Sequence, residues 1–329
     1  MGGQAQALWI EAPGRVALRE EALPPVGPDA VRVRTLFGGI SRGTEALVLA
    51  GAVPPPERAR MRAPFQQGDF PFPVKYGYAC VGEVEAGPPD LVGRTVFCLH
   101  PHQDRFVVPA AAVAVLPETV PAARAVLAAN METALNVVWD AQAAPAQRVA
   151  VIGAGVVGGL VAWLCARMPG TEVTLVDIDP GRHALAVALD IAFAAPEMAP
   201  ADCDLVVHAS ASAAGLATAL GCAGMEARVV EASWYGARSP EVPLGGAFHS
   251  RRLTLVSSQV GQVSPTQRPR WTHARRMAAA LSLLADARLD ALVSGETAFA
   301  ELPARYAGVL AARDTLCHRI VYPQPPEEA

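Results

Sequence analysis

The chain has 329 residues, of which 52% are hydrophobic, and a formal net charge of −4. This length suggests two domains, because single hydrophobic cores stop growing at roughly 250–300 residues. The mildly acidic balance argues against nucleic acid as a main partner. No run reaches the ~18 uninterrupted apolar residues that a membrane-spanning helix needs.

Six cysteines are scattered along the chain, without a Cys-x-x-Cys motif or a close pair. This usage is typical of a reducing compartment, and not of a disulfide framework or a structural zinc knuckle. No basic segment followed by an apolar stretch opens the sequence, so no secretion signal is predicted. We therefore expect a cytoplasmic protein that has neither nucleic acid nor a membrane as its partner.

The first ~120 residues predict an irregular, β-rich domain, because short strand patterns alternate with turn residues. A short helix is expected at Glu45–Ala50. The predicted strands are Ala5–Ile10, Val16–Arg19, Ala30–Leu36, Lys75–Glu85, Thr95–Leu99 and Arg105–Val108.

Near Pro121 the pattern changes to helices alternating with apolar strands, which predicts a parallel, doubly wound sheet. The predicted helices are Ala122–Asp140, Val156–Met168, Gly181–Leu189 and Ala213–Cys222. The predicted strands are Arg148–Ile152, Glu172–Val176, Asp204–His208, Arg228–Glu231 and Leu253–Ser258. The tail predicts helices at Trp271–Ala285 and Leu302–Ala312, strands at Ala291–Val293 and His318–Tyr322, and a fraying polar end at Pro323–Ala329.

The most informative motif is a glycine fingerprint between the first strand and helix of this alternating region. Gly153 allows a tight turn, Gly155 lets the backbone approach a pyrophosphate, and Gly158 lets the helix pack closely on the strand. The helix then begins at Val156 and Val157, whose free N–H groups and dipole favour phosphates. The strand before and the helix after make a dinucleotide site the favoured interpretation.

An acid at the end of the second strand selects among the dinucleotides. Asp177 lies nineteen residues beyond Gly158, where it would accept hydrogen bonds from a ribose 2′-hydroxyl and repel a 2′-phosphate. NAD(H) is therefore expected in preference to NADP(H). Arg182 would stack on adenine, reach towards a 2′-phosphate, or simply face solvent. Ser210 lies just past the predicted strand Asp204–His208, where it is placed to line the cofactor.

These parts in this order resemble the medium-chain dehydrogenase/reductase superfamily, of the zinc alcohol dehydrogenase type. The resemblance is carried by Leu23–Arg34, Gly39-Ile-Ser-Arg-Gly-Thr-Glu45, Gly77-Tyr-Ala-Cys-Val-Gly-Glu-Val84 and Val92-Gly-Arg-Thr-Val-Phe97. It implies an α/β chain with a GroES-like catalytic domain (residues 1–127 and 266–329) and an inserted Rossmann NAD(H)-binding domain (residues 128–265). The nearest branch includes bacteriochlorophyllide dehydrogenases, although a shared fold is a weak guide to substrate.

The motifs depart from the family pattern where zinc members bind their metal. The ligand loop of those members reads Gly-Ile-Cys-Gly-Thr-Asp, whereas Ser41 or Arg42 stands at the cysteine position here. Their Gly-His-Glu motif is replaced by a glycine followed by Tyr78 and Ala79, and a third ligand position falls at Glu132. Because a catalytic zinc needs three protein ligands, one carboxylate cannot hold it, and we expect no zinc.

Two further interpretations of polar residues stay open at the level of sequence. Cys98, His100 and His102 would share one face if they lay on a strand, so they either form a new metal site or are unliganded, the latter being favoured. Glu45 and Glu132 either serve the active site or form structural ion pairs and helix caps.

Without zinc, other residues must stabilise the oxygen that gains charge during hydride transfer. Tyr78 is the best candidate donor, because a phenol is protonated at neutral pH, although packing is an equally good interpretation. Arg42 would lower its pKa or bind an anionic substrate, and Ser41 and Thr44 are secondary donors. Thr133 matches the nicotinamide-side contact that the resemblance implies.

The function favoured by these observations is zinc-independent, NAD(H)-dependent interconversion of a small organic alcohol and its carbonyl compound. One alternative is NAD(P)H-dependent reduction of enones or quinones, which needs no proton donor at Tyr78. A second alternative is a non-catalytic, NAD(H)-binding regulatory protein. The resemblance also implies a homodimer, in which the exposed strand Leu253–Ser258 pairs with its copy.

Overall fold

The computed structural model describes residues 3–324, and the chain divides into two compact units. The first contains residues up to Ala129, Leu281–Ala285 and the chain from Val293 onward, and the second contains Asn130–Ala280 and Asp286–Leu292. The chain thus leaves the second unit later than the predicted boundary at 266, because Arg276 donates hydrogen bonds to Glu132 and Asn136 of that unit. Most of the polar tail that is predicted to fray lies outside the described residues.

Seventeen strands and seven α-helices make up the described chain. The strands are β1 (Gln4–Ala12), β2 (Arg15–Ala22), β3 (Ala30–Ser41), β4 (Gln67–Gly68), β5 (Val74–Lys75), β6 (Cys80–Ala86), β7 (Thr95–Cys98), β8 (Arg105–Pro109), β9 (Val113–Val115), β10 (Arg148–Ile152), β11 (Glu172–Val176), β12 (Ala192–Ala194), β13 (Cys203–His208), β14 (Ala223–Glu231), β15 (Thr254–Ser257), β16 (Val293–Ala298) and β17 (Cys317–Val321). The helices are α1 (Arg42–Leu49), α2 (Ala128–Ala141), α3 (Val156–Cys165), α4 (His183–Leu189), α5 (Ala213–Cys222), α6 (His273–Leu283) and α7 (Leu302–Ala311).

Two sheets form the first unit. One has the order β2-β1-β5-β4, and the other has the order β16-β17-β3-β6-β7-β9, with β8 paired to β3. Alternate residues of β3, such as Val31 and Val33, are fully buried among apolar residues of neighbouring strands, as expected for a strand with one face in a core. This unit is the β-rich domain that the sequence predicts.

The predicted strand Lys75–Glu85 is interrupted in the structure. It is divided into β5 and β6 by the segment 76–79, in which Gly77 has a φ of +119°. A Cβ at this position would lie 2.9 Å from the His102 ring. The break therefore reflects both a backbone conformation that favours glycine and the close approach of a histidine from elsewhere in the unit.

The second unit contains a six-stranded parallel sheet with the order β12-β11-β10-β13-β14-β15. The order in which successive strands are added to the sheet reverses direction between β10 and β13. At such a reversal, doubly wound sheets bind ligands at the carboxyl ends of their strands. Strands β10 and β11 and helix α5 have the predicted bounds. The edge strand β12 was not predicted, because three residues are too short to show a period.

The α/β fold class, with a GroES-like unit and a Rossmann unit, is confirmed. The core of the second unit is built from small and β-branched residues on β10, β13 and β14, including Ala150, Val206 and Val229. No helix within residues 3–324 has the length and apolar character needed to cross a membrane.

Candidate functional site

The glycine turn of the second unit has the geometry of a phosphate-binding loop. Gly153 has a φ of +108°, and a Cβ at Gly158 would overlap the carbonyl oxygen of Gly153. Gly155 is the N-cap of α3, where no side chain caps the helix, and a Cβ there would meet no atom within 4 Å. The N–H groups of Val156 and Val157 thus begin a helix whose N-terminus has room for an anion.

The Asp177 carboxylate is held in place beside this turn. Its Oδ2 accepts the Ala154 N–H at 2.7 Å, and its Oδ1 accepts the Asp179 N–H at 2.9 Å. A carboxylate has about four acceptor positions, so both oxygens retain capacity for a ribose hydroxyl. Arg182 follows on the next turn, where its Nε lies 3.6 Å from Asp179.

A chain of hydrogen-bonded polar side chains begins at the end of β13 in the same unit. The His208 ring is buried, with Nδ1 lying 2.6 Å from Glu231 Oε2 and Nε2 lying 2.6 Å from Ser210 Oγ. Ser210 Oγ is 2.9 Å from Ser212 Oγ. Glu231 also accepts the Ser233 N–H at 2.8 Å and the Tyr235 hydroxyl at 3.1 Å. Ser210 was predicted to line the cofactor, but its link to Glu231 was not predicted.

In the first unit the structure brings together three of the predicted catalytic residues. The Tyr78 hydroxyl is hydrogen bonded to the side chains of Ser41 and Thr44. Desolvation and the nearby Glu45 carboxylate raise the pKa of Tyr78 above its ordinary value, and the two hydrogen bonds oppose that rise. Tyr78 is therefore protonated at neutral pH and able to donate. The fourth, Arg42, donates from Nε to the Leu310 carbonyl at 3.2 Å.

Glu45 is the centre of a fully buried polar cluster, which we call the Glu45 cluster (Glu45, His102 and Tyr306). Its Oε2 lies 2.8 Å from His102 Nε2 and 2.5 Å from the Tyr306 hydroxyl, and its Oε1 accepts the Ser41 N–H at 2.7 Å. Desolvation and the Glu45 charge hold the pKa of Tyr306 well above its ordinary range. Glu45 thus has more partners than the ion pair or helix cap that the sequence suggests.

Glu132 lies in the second unit, on α2, and forms a buried ion pair. Arg276 Nε lies 3.0 Å from Glu132 Oε1, and both side chains are almost fully buried. Burial raises the pKa of Glu132, while the charge and hydrogen bond of Arg276 act in the opposite direction. The carboxylate at the third ligand position therefore already has a cationic partner. Thr133 is the next residue of the same helix.

The residues considered for a new metal site do not share a face. His100 stacks on Phe106 with ring centroids 3.9 Å apart, whereas His102 faces Glu45. The segment 99–102 is not a strand, so the alternation expected of His-x-His does not apply. Within the described residues, no group of three or more His, Cys, Asp and Glu side chains is arranged to hold a metal ion.

Comparisons with known proteins identify the fold. No family model matches the chain. The structure is similar to that of a Sinorhizobium meliloti 1021 protein bound to NADP, with 18% identity, a TM-score of 0.77, and coverage of 97% of this chain and 99% of that one. The chain has an alcohol-dehydrogenase-type fold. The structure is also similar to that of an alcohol dehydrogenase of Thermus sp. ATN1, with 22% identity, a TM-score of 0.74, and coverage of 97% of this chain and 100% of that one. A third similar structure is that of a short chain alcohol dehydrogenase of Escherichia coli CFT073, complexed with NADH. Its identity is 17% and its TM-score 0.77, and the match covers 97% of this chain and 100% of that one.

Proposed function

We propose that the protein is a medium-chain-type oxidoreductase that uses NAD(H), without a catalytic zinc, to interconvert an organic alcohol and its carbonyl compound. The observation that carries this proposal is the glycine turn at the carboxyl edge of a doubly wound sheet, with an uncapped helix N-terminus and a fixed carboxylate beside it. NADP and NADH are bound in two of the similar structures, which supports a nicotinamide cofactor.

The residues of the second unit fit a dinucleotide. The turn from Gly153 to Gly158 would hold the pyrophosphate through backbone N–H groups, and Asp177 would accept hydrogen bonds from the adenine ribose. Because backbone N–H groups hold the Asp177 carboxylate, its charge would remain close to a 2′-phosphate and repel it. This argument favours NAD(H) over NADP(H). When bound, the nicotinamide supplies the hydride acceptor or donor of the reaction.

The residues at the former ligand positions do not suit zinc. Tyr78 and Ser41 are hydrogen bonded to each other, and the Glu132 carboxylate is paired with a guanidinium instead of a pair of soft ligands. We propose that Tyr78 donates a hydrogen bond to the substrate oxygen and stabilises the charge that develops on it. Ser41 and Thr44 would orient its hydroxyl.

The cofactor assignment is tested by titrating the wild-type protein with NADH and NADPH and following nucleotide fluorescence. Tighter binding of NADH is expected. Asp177→Asn keeps an acceptor for the Ala154 N–H but removes the charge, so the preference for NADH should fall by about tenfold or more, the size of one hydrogen bond to a charged group. The matched control is Asp179→Asn, which should keep the wild-type preference. Failure of both nucleotides to bind would refute the proposal.

The reaction assignment is tested with Tyr78→Phe. Loss of a donor to the developing oxyanion costs about 100-fold or more, so carbonyl reduction by NADH should slow by that factor. Tyr76→Phe, on the neighbouring tyrosine 6.0 Å away by ring centroids, is the control. Reduction of an enone or a quinone at an unchanged rate in Tyr78→Phe would instead support the alternative reductase activity.

We also propose a homodimer formed through β15, the last strand of the six-stranded sheet. Its outer edge would pair with the same strand of a second copy, because an isologous contact satisfies both edges at once. Small-angle scattering should give the mass of a dimer, and a monomer at micromolar concentration would contradict the proposal.

A further inference from the structure

The polar chain from Ser210 to Glu231 lies where a doubly wound sheet places its ligand. His208 is the last residue of β13, and Ile152 is the last residue of β10. The two residues are paired in the sheet, at the point where the order of strands reverses direction. Ser210 is exposed, and its backbone nitrogen would lie 2.8 Å from a Cβ at Gly153. In doubly wound sheets a dinucleotide spans this crevice, and here its second nucleotide would lie over the half of the sheet that begins with β13.

The partners of His208 define its tautomer. Desolvation would raise the pKa of Glu231, but the hydrogen bond and charge of His208 and the bonds from Ser233 outweigh it, so the pKa lies below its ordinary value. An ionised carboxylate can only accept, so His208 Nδ1 must carry the proton that points at Glu231. In the neutral ring, Nε2 is then an acceptor, and Ser210 donates its hydroxyl proton to it.

The fold leaves space for this contact at one position of α5. A Cβ on Gly215 would overlap Ser210 Oγ and would lie 2.8 Å from His208 Nε2. Glycine is otherwise unfavourable within a helix, by about 1 kcal/mol relative to alanine. The Gly215 N–H donates to Ser212 Oγ, whose own hydroxyl lies beside Ser210. Helix α5 thus approaches the hydroxyl without covering it.

We propose that Ser210, His208 and Glu231 form a proton relay for the alcohol–carbonyl reaction, an inference that rests on the function proposed above. Ser210 Oγ is the catalytic group that exchanges a proton with the substrate oxygen or with a ribose hydroxyl bonded to it. His208 stores the proton, and Glu231 is a positioning residue that fixes the ring and balances its charge. Serine, histidine and carboxylate play comparable roles in hydrolases that share no fold with this chain.

The protons and electrons balance in both directions. During oxidation the substrate hydroxyl gives its proton to Ser210 Oγ as the Ser210 proton moves to His208 Nε2. A bound nicotinamide would take the substrate C–H electron pair as hydride, and the electron pair left on the oxygen by the departing proton would form the carbonyl double bond. The His208 imidazolium then returns its proton to solvent through exposed Ser210. During reduction the protonated ring is the active form, and each transfer runs in reverse.

The groups that face His208 come from three segments. They are Glu231 at the end of β14, Tyr235 after that strand, with its hydroxyl 3.5 Å from Nδ1, and Ser210 and Ser212 before α5. Arg238 stacks over the Tyr235 ring, 5.7 Å from its centroid. The Glu231 carboxylate is therefore the charged group in direct contact with the His208 ring.

The hydrogen-bond chain is tested without turnover, by nitrogen NMR of ¹⁵N-histidine-labelled full-length protein at mildly alkaline pH. His208→Gln identifies the signals of His208. Nδ1 should carry the proton and Nε2 should not, and Ser210→Ala should shift Nε2 alone. A proton on Nε2, or an Nε2 signal that Ser210→Ala leaves unchanged, would overturn the relay.

The proton transfer is tested by single-turnover oxidation of bound NADH with 4-nitrobenzaldehyde. Ser210→Ala should slow this step by about 100-fold while NADH affinity changes less than twofold. Gly215→Ala should slow it to a similar extent, although alanine favours the helix, and Ser210→Thr should recover most of the rate. The control is Thr218→Ala, which removes a hydroxyl of the same helix that bonds only to the Ala214 carbonyl.

The pH profile separates a relay from a structural role. Wild-type aldehyde reduction should slow as the pH rises through the titration of the relay, whereas oxidation of 4-nitrobenzyl alcohol should accelerate. Glu231→Gln should change both profiles, because the ring loses the carboxylate that accepts its Nδ1 proton. Unchanged profiles, or a wild-type rate in Ser210→Ala, would overturn the relay alone. Bound NADH that no carbonyl oxidises would overturn the relay together with the reaction, and absence of NADH binding would refute the cofactor assignment itself.

Discussion

Each unit of the molecule contains one histidine bonded to one glutamate, and the two pairs differ in what lies at their ends. His102 and Glu45 are 2.8 Å apart and fully buried, with Tyr306, itself buried, as the further partner. His208 and Glu231 are 2.6 Å apart and are linked to exposed Ser210. The same two side chains therefore form a closed cluster in one unit and an open one in the other.

This difference separates two uses of a buried ion-pairing network. In the closed Glu45 cluster, a proton has no exposed hydroxyl through which to leave, so its contribution is to folding and to the local field at Tyr78. In the open cluster, exchange with a ligand or with solvent passes through one serine. Removing a partner should therefore chiefly change stability in the first case and rate in the second.

The largest expected effect is on stability, from comparing Glu45→Gln with Glu231→Gln. Three donors converge on Glu45, and glutamine offers one acceptor while adding two donors, so Glu45→Gln should lower the free energy of unfolding by about 3 kcal/mol. Glu231 is partly exposed, and water can replace lost partners, so its substitution should cost about 1 kcal/mol. Urea unfolding of both variants measures the difference, and equal losses would contradict the comparison.

A third histidine sharpens the comparison because it is buried without a carboxylate. Burial lowers the pKa of His100 to about 3, against an ordinary value of 6.5. A lowered pKa in the folded state means that the stability is present above pH 6.5 and is lost as the pH falls towards 3. Between pH 7 and pH 5 the loss attributable to His100 should be about 2 kcal/mol.

The measurement compares the pH dependence of unfolding in the wild-type protein and in His100→Gln. Between pH 7 and pH 5 the variant should lose less unfolding free energy than the wild-type protein. The difference should equal the contribution of the one proton that His100 binds on unfolding. Identical slopes in the two proteins would show that folding does not shift the pKa of His100.

The smallest expected effect compares the tyrosines that donate to the two glutamates. Tyr306→Phe removes a fully buried hydroxyl bonded to Glu45 and should cost about 2 kcal/mol, as for a hydrogen bond to a charged group. Tyr235→Phe removes a partly exposed donor 3.1 Å from Glu231 and should cost less than about 1 kcal/mol. Thermal unfolding of the pair tests the order, and a larger loss in Tyr235→Phe would reverse it.

The sequence predicts most strands of the parallel sheet in the second unit because their signals are local. The glycine turn, the strand before it and the bounds of β10, β11 and α5 all follow from periodicity and from residues close in the chain. The meeting of Ser41 and Thr44 with Tyr78 follows from the family resemblance and not from local periodicity, and residues that the sequence places before the helix at Glu45 belong to β3 and α1.

The partners that lie far apart in sequence could not be predicted in this way. His102, Tyr306 and Glu45 are separated by 57 to 261 residues, and no local pattern joins them. Arg276 reaches Glu132 across 144 residues, which also accounts for the later domain boundary. The signal available for His208 and Glu231 was position alone, since both end neighbouring strands of the parallel sheet.

Under the proposed function, the bond between Asp177 and the Ala154 amide would make ribose recognition and loop geometry depend on one side chain. Replacing this acid by a residue that cannot accept from Ala154 would also release the turn that is proposed to hold the pyrophosphate. Such substitutions should therefore yield weak binders of both nucleotides before they yield a true exchange of preference. A successful redesign would combine a cationic residue for the phosphate with a small polar residue that still accepts from Ala154. Cofactor preference and the geometry of the turn must therefore be changed together.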